Sequence, residues 1–160
     1  MKNILKKVYD SKALSASLIA TSHASVILST VALIPMIWVL WQNESLGVLR
    51  LLLTLGVPFV LVTLLRRAIN APRPYELYDF YGAPPKNKTG RSFPSRHAYS
   101  AFSIGVAALF ILPTWVGVTL LILSTLLCIA RVLLGIHFIR DVLAGSIIGV
   151  VCSIIGMTVI

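Results

Sequence analysis

The chain alternates long apolar runs with short polar stretches that carry most of its charges. About 20 consecutive apolar residues are enough to span the hydrocarbon core of a bilayer as a helix. We therefore expect an all-α, polytopic membrane bundle of about five transmembrane helices, of which the third is the shortest. The predicted spans lie near residues 22–41, 46–65, 97–112, 114–134 and 141–160.

The residues before the first span form a basic segment, 1–21, which we separate from a single transmembrane domain over 22–160. One interpretation is a short helix lying on the membrane surface, because apolar and basic positions fall on opposite helical faces. A disordered basic tail is equally compatible with the sequence. The apolar positions are Ile4, Leu5, Val8 and Tyr9, and the basic ones are Lys2, Lys6, Lys7 and Lys12.

Simple alternation of the spans places three charged clusters on the same side of the membrane. The clusters are Arg66–Pro74, Pro94–His97 and Arg131–Asp141, and two spans lie between the second cluster and the third. We therefore expect all three to converge. The opposite side carries short links, and its aromatic belt consists of Trp38, Trp41 and Trp115.

The composition is that of a membrane protein, since 58% of the residues are hydrophobic, 12% are charged and the mean hydropathy is +0.92. The net charge of +9 makes anionic lipid headgroups or phosphates the expected partners. Nucleic acid is not expected as a partner, because no soluble domain remains to present a basic surface to a duplex. Cys128 and Cys152 lie inside apolar runs without metal-type spacing and are most simply small buried hydrophobic residues.

The third cluster contains a histidine and an acid with the spacing of a supported nucleophile. His137 and Asp141 are four residues apart at a predicted helix start, so the carboxylate can accept a hydrogen bond from one imidazole nitrogen. The other nitrogen is then free to attack a substrate. Gly135 offers a break that would bring Arg131 into the same pocket. An interfacial loop with snorkelling charges is the alternative.

The first cluster offers two arginines for one anion. Pro72 and Pro74 should end the helix near Asn70 and let Arg73 turn inward, toward the pocket that Arg66 reaches. The planar guanidinium makes bidentate bonds to phosphate and keeps its charge at any relevant pH. Taken alone, Arg66 fits a positive-inside charge that caps a span at least as well.

In the second cluster, Ser95 stands where a helix N-cap belongs. The backbone N–H groups that follow form an anion site, which the helix dipole reinforces. His97 enters the same pocket from the first turn and can give a proton to a leaving oxygen. A capping serine beside an interfacial histidine is the simpler alternative. The conjunction of the three clusters, however, predicts a site that handles phosphate.

Together the clusters resemble the signature motifs of the type 2 phosphatidic acid phosphatase (PAP2) family over roughly residues 45–160. The resemblance implies a helical, acid-phosphatase-like core that needs no metal or other cofactor. It implies a phosphohistidine on His137, support from Asp141 and proton transfer by His97. The phosphoryl group would be held by Arg66, Arg73, Ser95, Arg131 and the backbone N–H of Arg96. The matching motifs are Arg66-x₆-Arg73-Pro74, Pro94-Ser95-Arg96-His97 and Arg131-x₅-His137-x₃-Asp141.

Three positions depart from the usual motifs of that family. Arg66 stands where the family usually has Lys, which preserves the charge but alters the geometry. Arg96 replaces the usual Gly; the backbone donor remains, and the added cation could face a second phosphate or a lipid headgroup. Ala130 replaces a common Ser, a change that concerns support more than chemistry.

These interpretations predict an integral membrane phosphatase that acts on a lipid phosphate monoester or diphosphate. The candidate substrates are phosphatidic acid, phosphatidylglycerol phosphate and polyprenyl diphosphates. A lipid-phosphate binding or transport protein without turnover is the main alternative, and a structural membrane subunit is a third. The long loop over 67–93 is expected to shape substrate access. Small residues at Gly145 and Gly149 indicate close helix packing and leave the oligomeric state open.

Two arguments conflict over orientation in the cell membrane. The family resemblance places the pocket on the extracytoplasmic face. The positive-inside rule, applied to the lysines of 1–21 and to Arg66–Arg96, places it in the cytoplasm. Because many of those charges have a catalytic reason to be there, we favour the extracytoplasmic face.

Overall fold

The computed structural model describes residues 2–44, 46–77 and 89–159, and these residues form helices and loops without any strand. The predicted all-α class is therefore confirmed. Among the described residues the helices are α1 (Lys2–Asp10), α2 (Lys12–Val31), α3 (Leu33–Asn43), α4 (Gly47–Ile69), α5 (Pro74–Leu77), α6 (Arg96–Ile111), α7 (Thr114–Leu133) and α8 (Ile139–Val159).

Four of the five predicted spans each overlap one helix, and the span predicted at 22–41 overlaps two. Four helical stretches in the described part of the chain are long and apolar enough to cross a membrane. The remaining predicted span, 97–112, corresponds to α6, which has 16 residues and is shorter than those four stretches. The four stretches are Lys12–Asn43, Gly47–Leu77, Thr114–Leu133 and Ile139–Val159.

The first of these stretches consists of two helices that meet at Ala32. Pro35, in the first turn of α3, has no N–H to donate to the carbonyl of Val31, and its ring crowds that carbonyl. A continuous helix is interrupted for this reason. The single span predicted at 22–41 is thus formed by two helices joined at a turn.

Of the two interpretations of the N-terminal segment, a helix and a disordered tail, the structure shows the helix. Val8 of α1 is buried, and the hydroxyl of Tyr9 donates to the carbonyl O of Leu134 at 2.6 Å, which attaches α1 to the end of α7. Since α2 begins at Lys12, the boundary predicted between 1–21 and 22–160 falls inside one helix. The membrane-surface location of α1 stays a prediction.

α6 occupies the centre of the bundle, where α2, α3, α4, α7 and α8 all pack against it. Small side chains permit these contacts, and Ala107 and Ala108 of α6 are fully buried. The surrounding helices expose large apolar side chains instead, such as Ile34, Leu61 and Ile147. Small side chains at the helix contacts and large apolar side chains on the outside are typical of a helical bundle surrounded by lipid.

α6 and α8 pack closely because α8 carries glycines at the contact. A Cβ atom at Gly145 would lie 2.3 Å from the carbonyl O of Ser95, and one at Gly149 would meet another carbonyl of α6 at 2.5 Å. Farther along, the hydroxyl of Ser153 donates to the carbonyl O of Ser103 at 3.0 Å. The close packing predicted from these glycines is therefore a contact within the chain.

We call the end of the bundle where α3 ends and α4 begins the tryptophan end. Trp38, Trp41 and Trp115 are exposed there, as expected of an aromatic belt. An ion pair between Arg50 and Glu44 lies beside the link between α3 and α4. The apolar cluster toward this end includes Met36, Leu40, Leu51, Ile104, Ala107, Ala108, Leu120 and Met157.

Candidate active site

We call the end where α4 and α7 finish and α6 and α8 begin the charged end. Hydrogen bonds join the three predicted clusters there. Nη1 of Arg66 donates to the carbonyl O of Pro94, and the N–H of Ser95 donates to the carbonyl O of Asp141 at 2.9 Å. The convergence predicted from alternating spans is therefore confirmed.

His137 lies in the turn between α7 and α8, and its side chain is 1% exposed. Gly135 has φ of 63°, a left-handed conformation that glycine adopts without strain, and the chain turns there. The N–H groups of Ile136 and His137 both donate to the carbonyl O of Arg131, at 3.0 and 3.3 Å. The predicted break thus brings Arg131 and His137 together, but His137 precedes α8 instead of lying on it.

Asp141 is fully buried, and its carboxylate organises the turn around the histidine. Oδ2 accepts hydrogen bonds from the N–H of Phe138 at 2.9 Å and from the hydroxyl of Ser92. The bond to Phe138 satisfies an N–H group just before α8, which begins at Ile139, two residues after His137. Oδ2 also lies 3.6 Å from Nδ1 of the His137 ring, so the two side chains are in close polar contact at slightly more than hydrogen-bond length.

Ser92, which the motif analysis did not single out, lies between these two groups. Its Oγ is 3.3 Å from Nδ1 of His137 and donates to Oδ2 of Asp141, and the residue is fully buried. With the ring hydrogen on Nδ1, the ring donates to Ser92, Ser92 donates to Asp141, and Nε2 is left unprotonated. The available sequence signal was its place two residues before Pro94, at the edge of the second motif.

The environment of His137 keeps its ring neutral. Burial lowers the pKa of His137 to about 4, and the interaction with Asp141 opposes this effect only in part. The nearby guanidinium groups of Arg73, Arg131 and Arg66 lower the pKa further. Near pH 7 the ring therefore has the free base form that a nucleophile requires.

Ser95 forms the predicted N-cap of α6, since its hydroxyl accepts a hydrogen bond from the N–H of Ala98 at 3.4 Å. The first N–H groups of the helix carry partial positive charge and favour an anion at this point. His97 lies in this first turn and is partly exposed. Arg131 and His137 are near enough to His97 to interact with it electrostatically, so the two histidines share one site.

The guanidinium of Arg131 supplies a buried donor to this site. Its Nε has no hydrogen-bond partner among the described residues. Arg73 approaches from the other side, where its Nε donates to the carbonyl O of Gly90 at 3.0 Å. The turn that brings it there begins as predicted, because α4 ends before Asn70, which adopts a left-handed φ of 45°.

Arg66 is 7% exposed, and its guanidinium binds the loop that precedes α6. Nη1 donates to the carbonyl groups of Pro94 and Ser92, the latter at 3.5 Å, and Nη2 donates to that of Arg91. Three carbonyl groups of one loop thus converge on one cation, which holds Ser92 and Ser95 in place. Contact of Arg66 with phosphate stays a prediction.

An apolar groove leads from His97 along the bundle. It consists of two neighbouring cavities of about 260 and 270 Å³, and Phe59, Ser100 and Ile104 line both of them. Arg96 and His97 line only the first cavity. The guanidinium carbon of Arg96 lies 5.6 Å from the ring centre of Phe59, so a positive charge stands where the groove meets the charged end.

Two further expectations concern metals and the access loop. No group of three His, Cys, Asp or Glu residues within 2–44, 46–77 and 89–159 is placed to hold a metal ion. Cys128 and Cys152 are unpaired and half-buried. A metal-free reaction stays a prediction, and residues 78–88 of the predicted access loop lie outside the described residues.

Solved structures of other proteins share this fold. The crystal structure of LpxE from Aquifex aeolicus matches with a TM-score of 0.74 and 25% identity, over 97% of this chain and 93% of that one. The structure of a transmembrane PAP2-type phosphatidylglycerolphosphate phosphatase from Bacillus subtilis matches with a TM-score of 0.71 and 24% identity, over 97% and 81%. No curated protein matches the chain. The PAP2 superfamily model matches residues 47–160, and the chain therefore belongs to the PAP2 superfamily.

Proposed function

We propose that the protein is an integral membrane phosphatase that hydrolyses a lipid phosphate monoester or diphosphate through a phosphohistidine at His137. The observation that carries the proposal is the buried contact of His137 with Ser92 and Asp141, which engages Nδ1 and leaves Nε2 free. Arg131 is near enough to His137 to interact with it electrostatically, and its Nε, which has no hydrogen-bond partner among the described residues, can bind the phosphoryl oxygens.

In the first step Nε2 of His137 attacks phosphorus, and the bond from phosphorus to the lipid oxygen breaks. The negative charge of the bound phosphate favours a proton on His97, which gives that proton to the leaving oxygen, so the lipid leaves as a neutral hydroxyl or as a lipid phosphate. Arg131, Arg73 and the first N–H groups of α6 stabilise the charge on the equatorial oxygens. Asp141, acting through Ser92, stabilises the positive charge that the phosphorylated ring acquires.

In the second step water replaces the histidine. His97 takes a proton from the water, whose oxygen attacks phosphorus, and the bond from phosphorus to Nε2 breaks. While inorganic phosphate is still bound, His137 is again a neutral base and His97 is again protonated, and phosphate then leaves. The two histidines thus return to their starting states without a net gain or loss of protons.

The apolar groove supports a lipid as the carrier of the phosphate. It begins at Arg96 and His97 and continues between α2, α3, α4 and α6, so an acyl or prenyl chain can lie along it while the phosphate stays at the charged end. The partners are thus a lipid phosphate and the bilayer, from which the substrate enters sideways. The matched structures of LpxE and of a phosphatidylglycerolphosphate phosphatase agree with this substrate class.

Phosphate release from a panel of lipid phosphates tests the proposal, with the His137→Ala protein as the matched control. We expect the variant to fall below about a thousandth of the wild-type rate, because the covalent route is lost. Its melting temperature in detergent checks that it is folded. Full residual activity would contradict the mechanism. Lipid binding by the wild-type protein without phosphate release would favour the alternative of a binding or transport protein.

The covalent intermediate has its own test. A substrate labelled in the transferred phosphate should leave label on the wild-type protein after a rapid alkaline quench, and the same label should be lost in acid. This pattern distinguishes a phosphohistidine from a phosphoserine, which survives acid. Label that persists in the His137→Ala protein would assign the nucleophile elsewhere.

We further propose that the charged end faces the extracytoplasmic side of the cell membrane. Lys7 is exposed on α1, which is attached to this end through Tyr9, and it offers a place for a cysteine. A Lys7→Cys protein in intact cells should react with a membrane-impermeant maleimide, whereas the wild-type protein should not. Labelling that requires lysis of the cells would place the site in the cytoplasm.

A further inference from the structure

A polar cavity of about 490 Å³ lies at the charged end, and we call it the arginine cavity. Thr63, Thr89 and Gly90 contribute to its lining. Among the residues that the structure describes, no carboxylate lines it. Five arginines line it: Arg66, Arg67, Arg73, Arg91 and Arg96.

A single phosphoryl group does not account for so many cations. Arg66 and Arg73 already donate to backbone carbonyl groups. Arg67 and Arg91 are exposed, and neither forms an ion pair with an acidic side chain in the described part of the chain. Like charges gathered in one cavity repel each other, and a bound anion relieves that repulsion.

The cavity adjoins the place of phosphoryl transfer, and Arg73 borders both. His97, His137 and Arg131 do not line it. Arg96 lines both the arginine cavity and the first part of the apolar groove, and His97 follows it in the chain. An anionic group in this cavity would therefore lie next to the phosphoryl group on its way to His137 and next to the lipid chain.

We propose that the arginine cavity is an anion subsite for a second phosphoryl group carried by the same lipid. This inference rests on the proposed function and narrows the substrate to lipids with two phosphoryl groups, such as diphosphates. When a terminal phosphoryl group moves to Nε2 of His137, its bond to the bridging oxygen breaks. His97 protonates that oxygen, and the arginines stabilise the lipid phosphate that leaves. Free inorganic phosphate has the same chemistry and is the competing source.

Farnesyl phosphate and farnesyl diphosphate are a matched pair of probes, because they share one prenyl chain. We expect the wild-type protein to hydrolyse the diphosphate with the higher kcat/KM. In an Arg67→Gln/Arg91→Gln protein, the ratio of kcat/KM for the diphosphate to kcat/KM for the monophosphate should fall at least about tenfold. A loss of this size corresponds to one charge-assisted hydrogen bond. The variant's kcat/KM for the monophosphate should change less than about twofold. An unchanged ratio, or equal losses on both probes, would overturn the inference.

A Lys7→Gln/Lys12→Gln protein is the matched control. It loses the same number of charges, from exposed positions near the charged end that do not line the cavity. We expect it to keep the wild-type ratio of the two kcat/KM values. An equal loss of preference in this control would attribute the effect to overall charge and would also overturn the subsite.

Calorimetric binding to the His137→Ala protein tests the subsite without turnover. Farnesyl diphosphate should bind at least about tenfold more tightly than farnesyl phosphate, and the added Arg67→Gln/Arg91→Gln changes should remove that difference. If the wild-type protein releases no phosphate but this difference is found, the proposed function fails and the subsite stands. If inorganic phosphate binding depends on Arg67 and Arg91 while the two lipids bind equally, the lipid-borne second phosphoryl group is overturned.

Discussion

The two ends of the bundle are stabilised by different means. At the tryptophan end, apolar side chains such as Met36 and Leu51 pack together beside a partly exposed ion pair. At the charged end, Arg66, Ser92 and Asp141 are buried and held by hydrogen bonds to loops. Loss of one such group leaves a buried partner unsatisfied, whereas loss of the exposed ion pair does not. The comparison therefore predicts that single polar substitutions lower stability strongly at the charged end and only slightly at the tryptophan end.

Arg66→Ala, at the charged end, should have the largest effect on stability. It removes the cation on which three carbonyl groups converge, so we expect the free energy of unfolding to fall by about 3 kcal/mol or more. Activity should fall with it, since the same loop carries Ser92 and Ser95. Denaturation and phosphate release measured on one preparation test this. A loss of activity at unchanged stability would show instead that Arg66 acts mainly on the phosphate.

Ser92→Ala should lower kcat by about 10- to 100-fold, because the hydroxyl links the ring of His137 to Asp141. KM should change little, as Ser92 does not contact the lipid in the proposed mechanism. Ser124→Ala is a suitable control, since this buried serine donates only within its own helix, to the carbonyl O of Leu120. Equal losses of kcat in the two proteins would argue against the link.

The low pKa of His137 predicts a pH-dependent stability at the charged end. The ordinary pKa of histidine is about 6.5, and the pKa of His137 in the folded protein is about 4. The imidazole of His137 therefore binds a proton more tightly in the unfolded chain. The contribution of His137 to stability should thus be complete above pH 6.5 and decrease as the pH falls toward 4. Melting curves of wild-type and His137→Gln proteins over this window should diverge. Parallel curves would contradict the neutral, buried ring.

Glu44→Gln at the tryptophan end should have the smallest effect. The ion pair with Arg50 is partly exposed, and such pairs contribute at most about 1 kcal/mol. We expect the activity to be unchanged and the melting temperature to move little. A large loss of activity would show that the two ends are coupled and would remove the contrast between them.

The length of the apolar runs predicted the helices because a backbone in lipid must satisfy its N–H and C=O groups internally. It did not predict the start of α2 at Lys12. Residues 12–21 are rich in Ser and Ala, and their hydropathy is low for a span. Farther along α2, Ser22, Ser25 and Ser29 are buried in a helix that packs against α7 and α6. Small polar side chains can thus form a helix contact that hydropathy does not indicate.

The sequence also predicted those parts of the candidate site that depend on local geometry. The cap at Ser95 and the turn at Gly135 follow from residue type and position alone. The place of Ser92 and the contacts of Arg66 could not be predicted in this way. They depend on the path of the loop before α6, and no periodicity in the sequence determines that path. The roles assigned to the site residues stay predictions.

The glycine contact between α6 and α8 has a consequence for how the chain tolerates mutation. Gly145 stands against the carbonyl O of Ser95, two residues before His97, and it lies one turn after Asp141 on α8. The spacing between the start of α6, which carries His97, and Asp141 on α8 is therefore set by backbone contact, which no change of rotamer can adjust. A saturation screen for activity should reject nearly every replacement of Gly145, although glycine has no side chain that could take part in the reaction. Loss of activity on substitution at this position would show that the reaction depends on the distance between α6 and α8, and not on any chemistry of Gly145 itself.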